Sequence, residues 1–184
     1  MTAFLFLLAG ILVTLQNTGP EAAPPEVPFE CTVARHHRLA LLIPEPWQAA
    51  ASDPVNGAVT IRITPKASQD FIFLLTAVEP DKASAKLLDE EGVKLLVTMQ
   101  GTELLPTAVE TELKLLRVEG GAGVGYFYVL TDKREALPEG EYRYNCQGVM
   151  AVGKFRLSAT LLTNRPSEDL MRGFFRLLKG ATER

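Results

Sequence analysis

Residues 139–164 decide the fold. They read EGEYRYNCQGVMAVG over 139–153 and KFRLSATLLTN over 154–164. In the first segment Tyr142, Tyr144 and Cys146 alternate with polar residues, which is the period-two pattern of a strand. The second segment is a further strand pattern, and Gly153 is the turn residue between the two. A connection this short predicts antiparallel pairing of two neighbouring strands.

Further strand patterns precede this pair, and short connections separate most of them. One segment, 71–78, is apolar on both faces, which is typical of a central strand covered on both sides. The others alternate or are broken by turn residues. These strand segments are FECTVARH (29–36), RLALLIP (38–44), AVTIRIT (58–64), FIFLLTAV (71–78), TELKLLRVE (111–119) and YFYVLTD (126–132).

In two segments the apolar residues recur with the period of an α-helix. DKASAKLLDEEGVKLLVTMQ (81–100) offers Asp81 as N-cap and an apolar stripe of Leu88, Leu95, Leu96 and Met99. The closing segment, NRPSEDLMRGFFRLLKG (164–180), begins at a capping residue and carries a second stripe. That stripe consists of Leu170, Phe174, Leu177 and Leu178.

The order strands, helix, strands, helix predicts an α+β fold in which helices pack on one antiparallel β-sheet. The chain has 184 residues, 47% of them apolar and 22% charged, which fits one globular domain. We place this single domain at 29–184. Lys and Arg number 19 against 22 Asp and Glu, and no basic stripe occurs, so we predict no nucleic-acid partner.

The N-terminus is read as a targeting segment followed by a linker. Residues 3–15 form an apolar run with the length of a signal-peptide core, short of the roughly 20 residues that span a membrane. We predict a signal peptide or N-terminal apolar segment at 1–18 and a Pro-rich linker at 19–28. The protein is then exported to a periplasmic or extracellular space. The alternatives are a membrane tether formed by an uncleaved segment and a buried apolar helix.

Two cysteines, Cys31 and Cys146, each alternate with apolar or aromatic neighbours and should face packed interior. An oxidising compartment makes a disulfide between them the favoured reading. Two separate buried thiols are the second reading. A catalytic cysteine is the third and least favoured interpretation. A nucleophilic thiol needs partial exposure and a positive neighbour, whereas both cysteines are expected to be buried.

Signals for catalysis and cofactors are weak. His36 and His37 are adjacent, so on a strand they point to opposite faces and do not converge on one metal. The glycines of GGAGVGYF (120–127) precede a strand, whereas a phosphate-binding loop opens a helix. We therefore predict no metal, no cofactor and no catalytic residues.

All four tyrosines fall in two strand segments and form a candidate recognition surface, to which a turn adds the single tryptophan, Trp47. The simpler reading of the tyrosines is cross-strand packing. The candidates are Trp47, Tyr126, Tyr128, Tyr142 and Tyr144.

Four motifs in order, LALLIPEPW (39–47), GYFYVLTD (125–132), PEGEYRYNCQGVMAVG (138–153) and KFRLSATLLTN (154–164), together with the closing helix, resemble the PsbP-like family. That family is named after the extrinsic P subunit of photosystem II and includes many exported bacterial proteins. The resemblance covers about residues 29–180. It implies an antiparallel sheet flanked by helices, an α/β/α sandwich, in an exported accessory or assembly subunit. It carries over no site residues.

The main hypothesis is therefore an exported, non-catalytic accessory or binding protein whose partner is a cell-envelope protein or complex. One alternative is a periplasmic protein that binds a small molecule in a cleft between sheet and helix, lined by Trp47 or the tyrosines. The other is an enzyme with an unrecognised site, for which Asp132, Glu141 and His37 are the candidates.

Overall fold

The computed structural model describes residues 24–34, 37–81, 89–121 and 123–184. The predicted signal peptide at 1–18 and most of the linker lie outside these residues. The first strand begins at Glu26, so the last three residues assigned to the linker are already part of the domain.

The described elements follow the predicted order, with two additional short strands. The strands are β1 (Glu26–Ala34), β2 (His37–Pro44), β3 (Trp47–Ala51), β4 (Ala58–Pro65), β5 (Phe71–Val78), β6 (Leu116–Gly120), β7 (Gly123–Thr131), β8 (Tyr144–Val152), β9 (Phe155–Thr163) and β10 (Thr182–Glu183). The helices are α1 (Glu90–Leu104), which continues into a 3-10 turn at Leu105–Thr107, and α2 (Glu168–Lys179).

The strands form two antiparallel sheets, which corrects the prediction of one. The larger has seven strands in the order β3-β4-β5-β9-β8-β7-β6, and the smaller has the order β1-β2-β10. The chain passes from one sheet to the other at the two-residue turn between Pro44 and Trp47. Pro44 and Pro46 lack the N–H groups that a continuous ladder would need, which favours the break at this point.

The predicted hairpin at the centre of the large sheet is confirmed. β8 and β9 pair from Tyr144↔Thr163 to Val152↔Phe155. Gly153 has φ +56 in the turn, a left-handed conformation that favours glycine. The hairpin therefore supplies two adjacent central strands, against which β5 and β7 pair on either side.

The two helices pack on opposite faces of the large sheet. Phe127 of β7 belongs to the core that contains Phe174, Leu177 and Leu178 of α2 and the inner residues of β1 and β2. The residues on either side of it, Tyr126 and Tyr128, belong to a second cluster with α1. Successive strand residues point to opposite faces, so α2 and the small sheet cover one face and α1 covers part of the other.

Helix α1 differs from its prediction. Its N-cap is Asp89, whose carboxylate accepts a 2.7 Å hydrogen bond from the Gly92 N–H, and the expected cap Asp81 lies well before the helix. Leu95 and Met99 of the predicted stripe are 56% and 55% exposed. Leu88 lies outside the described residues. The helix instead contacts the sheet through two valines and the glycine at 101, where a Cβ would lie 3.0 Å from the Tyr128 ring. The buried valines are Val93 and Val97.

Helix α2 agrees with its prediction except at its first residue. Ser167, and not Asn164, is the N-cap, with its hydroxyl 3.1 Å from the Leu170 N–H. Phe174, Leu177 and Leu178 are buried as predicted. Gly173, in the middle of this helix, lies against the Trp47 ring.

Candidate functional site

A groove of about 940 Å³ lies between the β3–β5 end of the large sheet and helix α2. We call it the Trp47 groove. Its apolar wall comes from the sheet, the helix and the proline-rich turn before β3. Its charged side chains are three arginines and two aspartates, which lie before β5, after β9 and on α2. The residues that define it are Trp47, Phe71, Leu170 and Gly173 on the apolar side and Arg165, Arg172, Arg176, Asp70 and Asp169 on the charged side.

Trp47 is held by an aromatic neighbour and by a glycine. Its ring packs edge-on against Phe71, with centroids 5.0 Å apart and an interplanar angle of 67°. A Cβ at Gly173 would lie 2.8 Å from Cη2 of the indole. Helix α2 can therefore approach the indole only because residue 173 has no side chain, and one flank of Trp47 stays partly exposed towards the groove.

The three arginines differ in their partners. Arg172 lies 3.3 Å from the carboxylate of Asp169, one turn earlier on the helix. Arg176 Nε lies 3.3 Å from Glu26 in an ion pair whose angle does not make a hydrogen bond, so this buried Nε has no hydrogen-bond acceptor among the described residues. Arg165 is exposed, and its guanidinium has no ion pair within the described part of the chain. Arg165 is thus the groove arginine that has no ion pair among the described residues, and it lines the same groove as Trp47.

The sheet does not bring the four tyrosines together. Tyr126 and Tyr128 face α1 and are buried, 8% and 0% exposed. Tyr144 pairs with Thr131, one residue out of phase with them, and so faces the other side of the sheet. Tyr142 precedes β8. For Tyr126 and Tyr128 the packing interpretation therefore holds, and these two do not share a surface with Trp47. Tyr144 lies on the same face of the sheet as Phe71, because both residues pair with Thr163.

Both cysteines are free, buried thiols, and the predicted crosslink is not present in the structure. Cys31 lies on β1 of the small sheet and Cys146 on β8 of the large one, both within the same apolar core. Burial raises the pKa of the Cys146 thiol to about 12 and also raises the pKa of Cys31. The physical reason is that a thiolate loses its hydration in apolar surroundings, which keeps both sulfurs protonated and unreactive.

The three candidates for an enzymatic site do not converge. Asp132 and Glu141 are linked through Arg134, which forms ion pairs with both. This cation lowers the pKa of Asp132 to about 2. His37 belongs to a separate group, in which Nδ1 lies 2.9 Å from Glu183 and Nε2 lies 3.3 Å from Lys154 Nζ.

A polar cluster that sequence reasoning missed connects α1 to the edge of the large sheet. Glu90 accepts hydrogen bonds from Arg117 Nε at 2.7 Å and from the Tyr126 hydroxyl at 2.6 Å. The Arg117 and Tyr126 hydrogen bonds together lower the pKa of Glu90 to about 2. No motif signals this cluster, since its members are separated by 27 and 36 residues.

The described residues contain no group of three or more His, Cys, Asp or Glu side chains arranged to hold a metal ion. No helix in the same part of the chain is long and apolar enough to cross a membrane.

In comparisons with known proteins, no family model matches the chain and no curated protein matches it. The resemblance to PsbP-like proteins therefore stays a prediction. Of the groove residues, sequence reasoning named Trp47 alone. Phe71 and Arg165 were missed because 24 and 118 residues separate them from Trp47, and only strand pairing brings them near it.

Proposed function

We propose that the protein is an exported, non-catalytic binding domain that holds a cell-envelope partner protein in the Trp47 groove. The observation that carries the proposal is the combination, in one open groove, of a partly exposed Trp47, packed edge-on against Phe71, with the guanidinium of Arg165, which has no ion pair among the described residues. Tryptophan and arginine are the residue types most enriched among the energetically dominant positions of protein interfaces.

The groove chemistry defines what the partner presents. An apolar side chain of the partner gains by burial against Trp47, Phe71 and Leu170. A carboxylate gains a charge-assisted, two-pronged hydrogen bond from the Arg165 guanidinium. Arg165 does not have to break an ion pair within the described residues to make that contact.

The electrostatics of the described residues support a non-catalytic role. A general acid or base works best when its pKa lies near the working pH. The carboxyl groups of Glu90 and Asp132 instead have pKa values of about 2, held there by arginine and hydroxyl donors. The thiol of Cys146 has a pKa of about 12. The pKa values of these three groups therefore lie far from neutral pH.

Export is supported by the apolar run at 3–15 and by the Pro-rich segment that follows it. The resemblance to PsbP-like proteins supports an accessory role and an α/β/α sandwich. The opposite placement of the two helices on the large sheet is consistent with that arrangement.

The second candidate function is binding of a small anionic molecule with an apolar body. The volume of about 940 Å³ is within the range of small-molecule clefts, roughly 300–1,000 Å³. Trp47 is the one tryptophan of the chain, so its fluorescence reports occupancy of the groove directly.

The test is recovery of the envelope partner by a C-terminally tagged protein in its own host, after light crosslinking. Three proteins are compared: wild type, Arg165→Glu and Arg62→Glu. Arg62 is exposed on the opposite face of the large sheet and serves as the matched control for a charge reversal.

We expect wild type and Arg62→Glu to recover the same envelope protein in stoichiometric amount, and Arg165→Glu to recover at least tenfold less. Equal recovery of the envelope protein by both variants would show that the partner does not bind in the Trp47 groove. A protein that is purified alone, but whose Trp47 emission shifts with a low-molecular-weight cell extract, would establish the small-molecule alternative.

A further inference from the structure

Strand β3 is an edge of the large sheet, and the backbone groups of three of its five residues point away from its neighbour. The Ser52 N–H donates to Thr60 at 2.8 Å and the Lys66 N–H donates to Pro46 at 2.9 Å. In this register the even-numbered residues of β3 form the hydrogen-bonded pairs with β4. The N–H and C=O groups of the odd-numbered residues therefore point outward. These residues are Trp47, Ala49 and Ala51.

This edge lacks the features that usually prevent strand addition. Charged side chains and prolines are the common means by which sheet edges avoid pairing with other chains. Among the described strands, the other three sheet edges have them: β1 contains Pro28 and two glutamates, β6 contains Arg117 and Glu119, and β10 contains Glu183. The sequence of β3 is WQAAA, which has neither.

The outward edge lies beside the Trp47 groove. In an antiparallel pair, residues directly opposite each other project their side chains to the same face of the sheet. A residue paired with Trp47 would thus point its side chain towards the face on which Trp47 packs against Phe71 and Gly173. Strand pairing and groove binding are then two contacts of one ligand.

We propose that β3 binds an extended peptide segment of the partner protein as an eighth strand of the large sheet. This inference rests on the proposed function and specifies the form of the partner. The peptide has a large apolar side chain opposite Trp47. Its residues beyond the added strand cross the groove and present a carboxylate to Arg165, which has no ion pair among the described residues. The main-chain hydrogen bonds supply affinity, and the groove supplies specificity.

The test uses a phage-displayed library of linear decapeptides, selected on the full-length protein. We expect selected peptides to contain an apolar residue and an acidic residue, and to shift the Trp47 emission. Amide hydrogen exchange of Trp47, Ala49 and Ala51 should slow at least tenfold in the complex, because these N–H groups become hydrogen-bonded.

Proline substitutions in β3 distinguish strand addition at the sheet edge from side-chain binding in the groove. Ala49→Pro removes an outward N–H without removing a bond to β4, a position at which edge strands accept proline. We expect it to keep the urea unfolding midpoint of the wild type and to weaken peptide binding at least tenfold. Ala51→Pro is the second variant, for use if Ala49→Pro fails to fold. Ala50→Ser, which keeps all outward amides, should bind as the wild type does.

Peptides that shift Trp47 emission and require Arg165, yet leave exchange of the β3 amides unchanged and bind Ala49→Pro normally, would overturn strand addition while leaving the proposed function standing. Failure to select any peptide would also overturn strand addition. The proposed function is then still decided by recovery of the envelope partner.

Discussion

Gly173 determines where Trp47 can lie, because the indole occupies the space that a side chain at 173 would fill. Replacing Gly173 by alanine places a Cβ 2.8 Å from the indole, so the ring must move outward into the groove. We expect the Trp47 emission to shift to longer wavelength as the ring becomes more exposed. The better helix propensity of alanine, about 1 kcal/mol, offsets part of the packing loss. Fluorescence spectra and urea unfolding measure both effects.

The matched control for this substitution is Gly121→Ala, since a Cβ at 121 meets no atom within 4 Å. Its emission should equal that of the wild type. An unchanged spectrum in Gly173→Ala would show that the indole does not contact the helix.

Glu90 makes the stability of the protein depend on pH. Its pKa is lowered from 4.5 to about 2 by hydrogen bonds from Arg117 and Tyr126. The folded state binds the proton more weakly than the unfolded state, so the stabilisation is present above about pH 4.5 and is lost as the pH falls towards 2. We expect the urea midpoint of Glu90→Gln to fall less steeply over this range than that of the wild type.

The control is Glu91→Gln, which removes a neighbouring exposed carboxylate that forms no ion pair with another described residue. Its pH profile should follow that of the wild type. Parallel profiles for Glu90→Gln and wild type would mean that the Arg117 and Tyr126 contacts do not form in solution.

At the scale of single residues, the sequence indicates which residue could line a site. It does not indicate which side chains lie next to that residue in the fold. Trp47, the single tryptophan, was predicted to lie in a turn; it is the first residue of β3 and lines the groove. Arg165 and Arg176 have no local signal, because an arginine on a helix or after a strand is usually solvated. Their positions in the groove depend on how the strands pair and how α2 packs, and that information is not contained in short-range sequence patterns.

At the scale of secondary-structure elements, the stability of α2 depends on its N-cap residue. The Ser167 hydroxyl accepts a 3.1 Å hydrogen bond from the Leu170 N–H. Ser167→Ala should lower the free energy of unfolding by about 1 kcal/mol, because it leaves that N–H without its acceptor. Urea unfolding monitored by circular dichroism measures the change. Ser167→Asp retains an acceptor and should keep wild-type stability, and equal losses in the two variants would argue against the cap.

The helices and strands also show why hydrophobic periodicity alone predicts some contacts and misses others. The β8–β9 hairpin was predicted from alternation and Gly153, since both signals are local. The α1 stripe was wrong because Val93, Val97 and Gly101 allow a closer approach to Tyr128 than a leucine face would. Strand β3 was missed because its three alanines have low strand propensity.

For the whole molecule, the state of the two thiols is a direct test of the packing. Cys31 and Cys146 are 9% and 3% exposed. We expect the native protein to react with iodoacetamide at neither position within minutes, and the unfolded protein to take up two equivalents without reductant. Intact mass measures both.

A Cys146→Ser variant serves as the control and should take up one equivalent when unfolded. Uptake by the unfolded wild type only after reduction would show that Cys31 and Cys146 are crosslinked in solution, contrary to the structure.

At this scale the antiparallel α+β class was predictable, because alternation and short connections both point to it. The division into two sheets was not, since it depends on how β1 and β2 leave the large sheet at the Pro44–Pro46 turn. That turn also borders the Trp47 groove.

The position of β10 determines how the domain responds to a mechanical load. β1 and β10 both pair with β2, and they run in the same direction on its two sides. A force applied between Glu26 and Arg184 therefore pulls along the strands and loads their hydrogen bonds in shear. β1 has eight register pairs with β2, whereas β10 has two. Under tension between these two residues we therefore expect β10 to detach from β2 before β1 does.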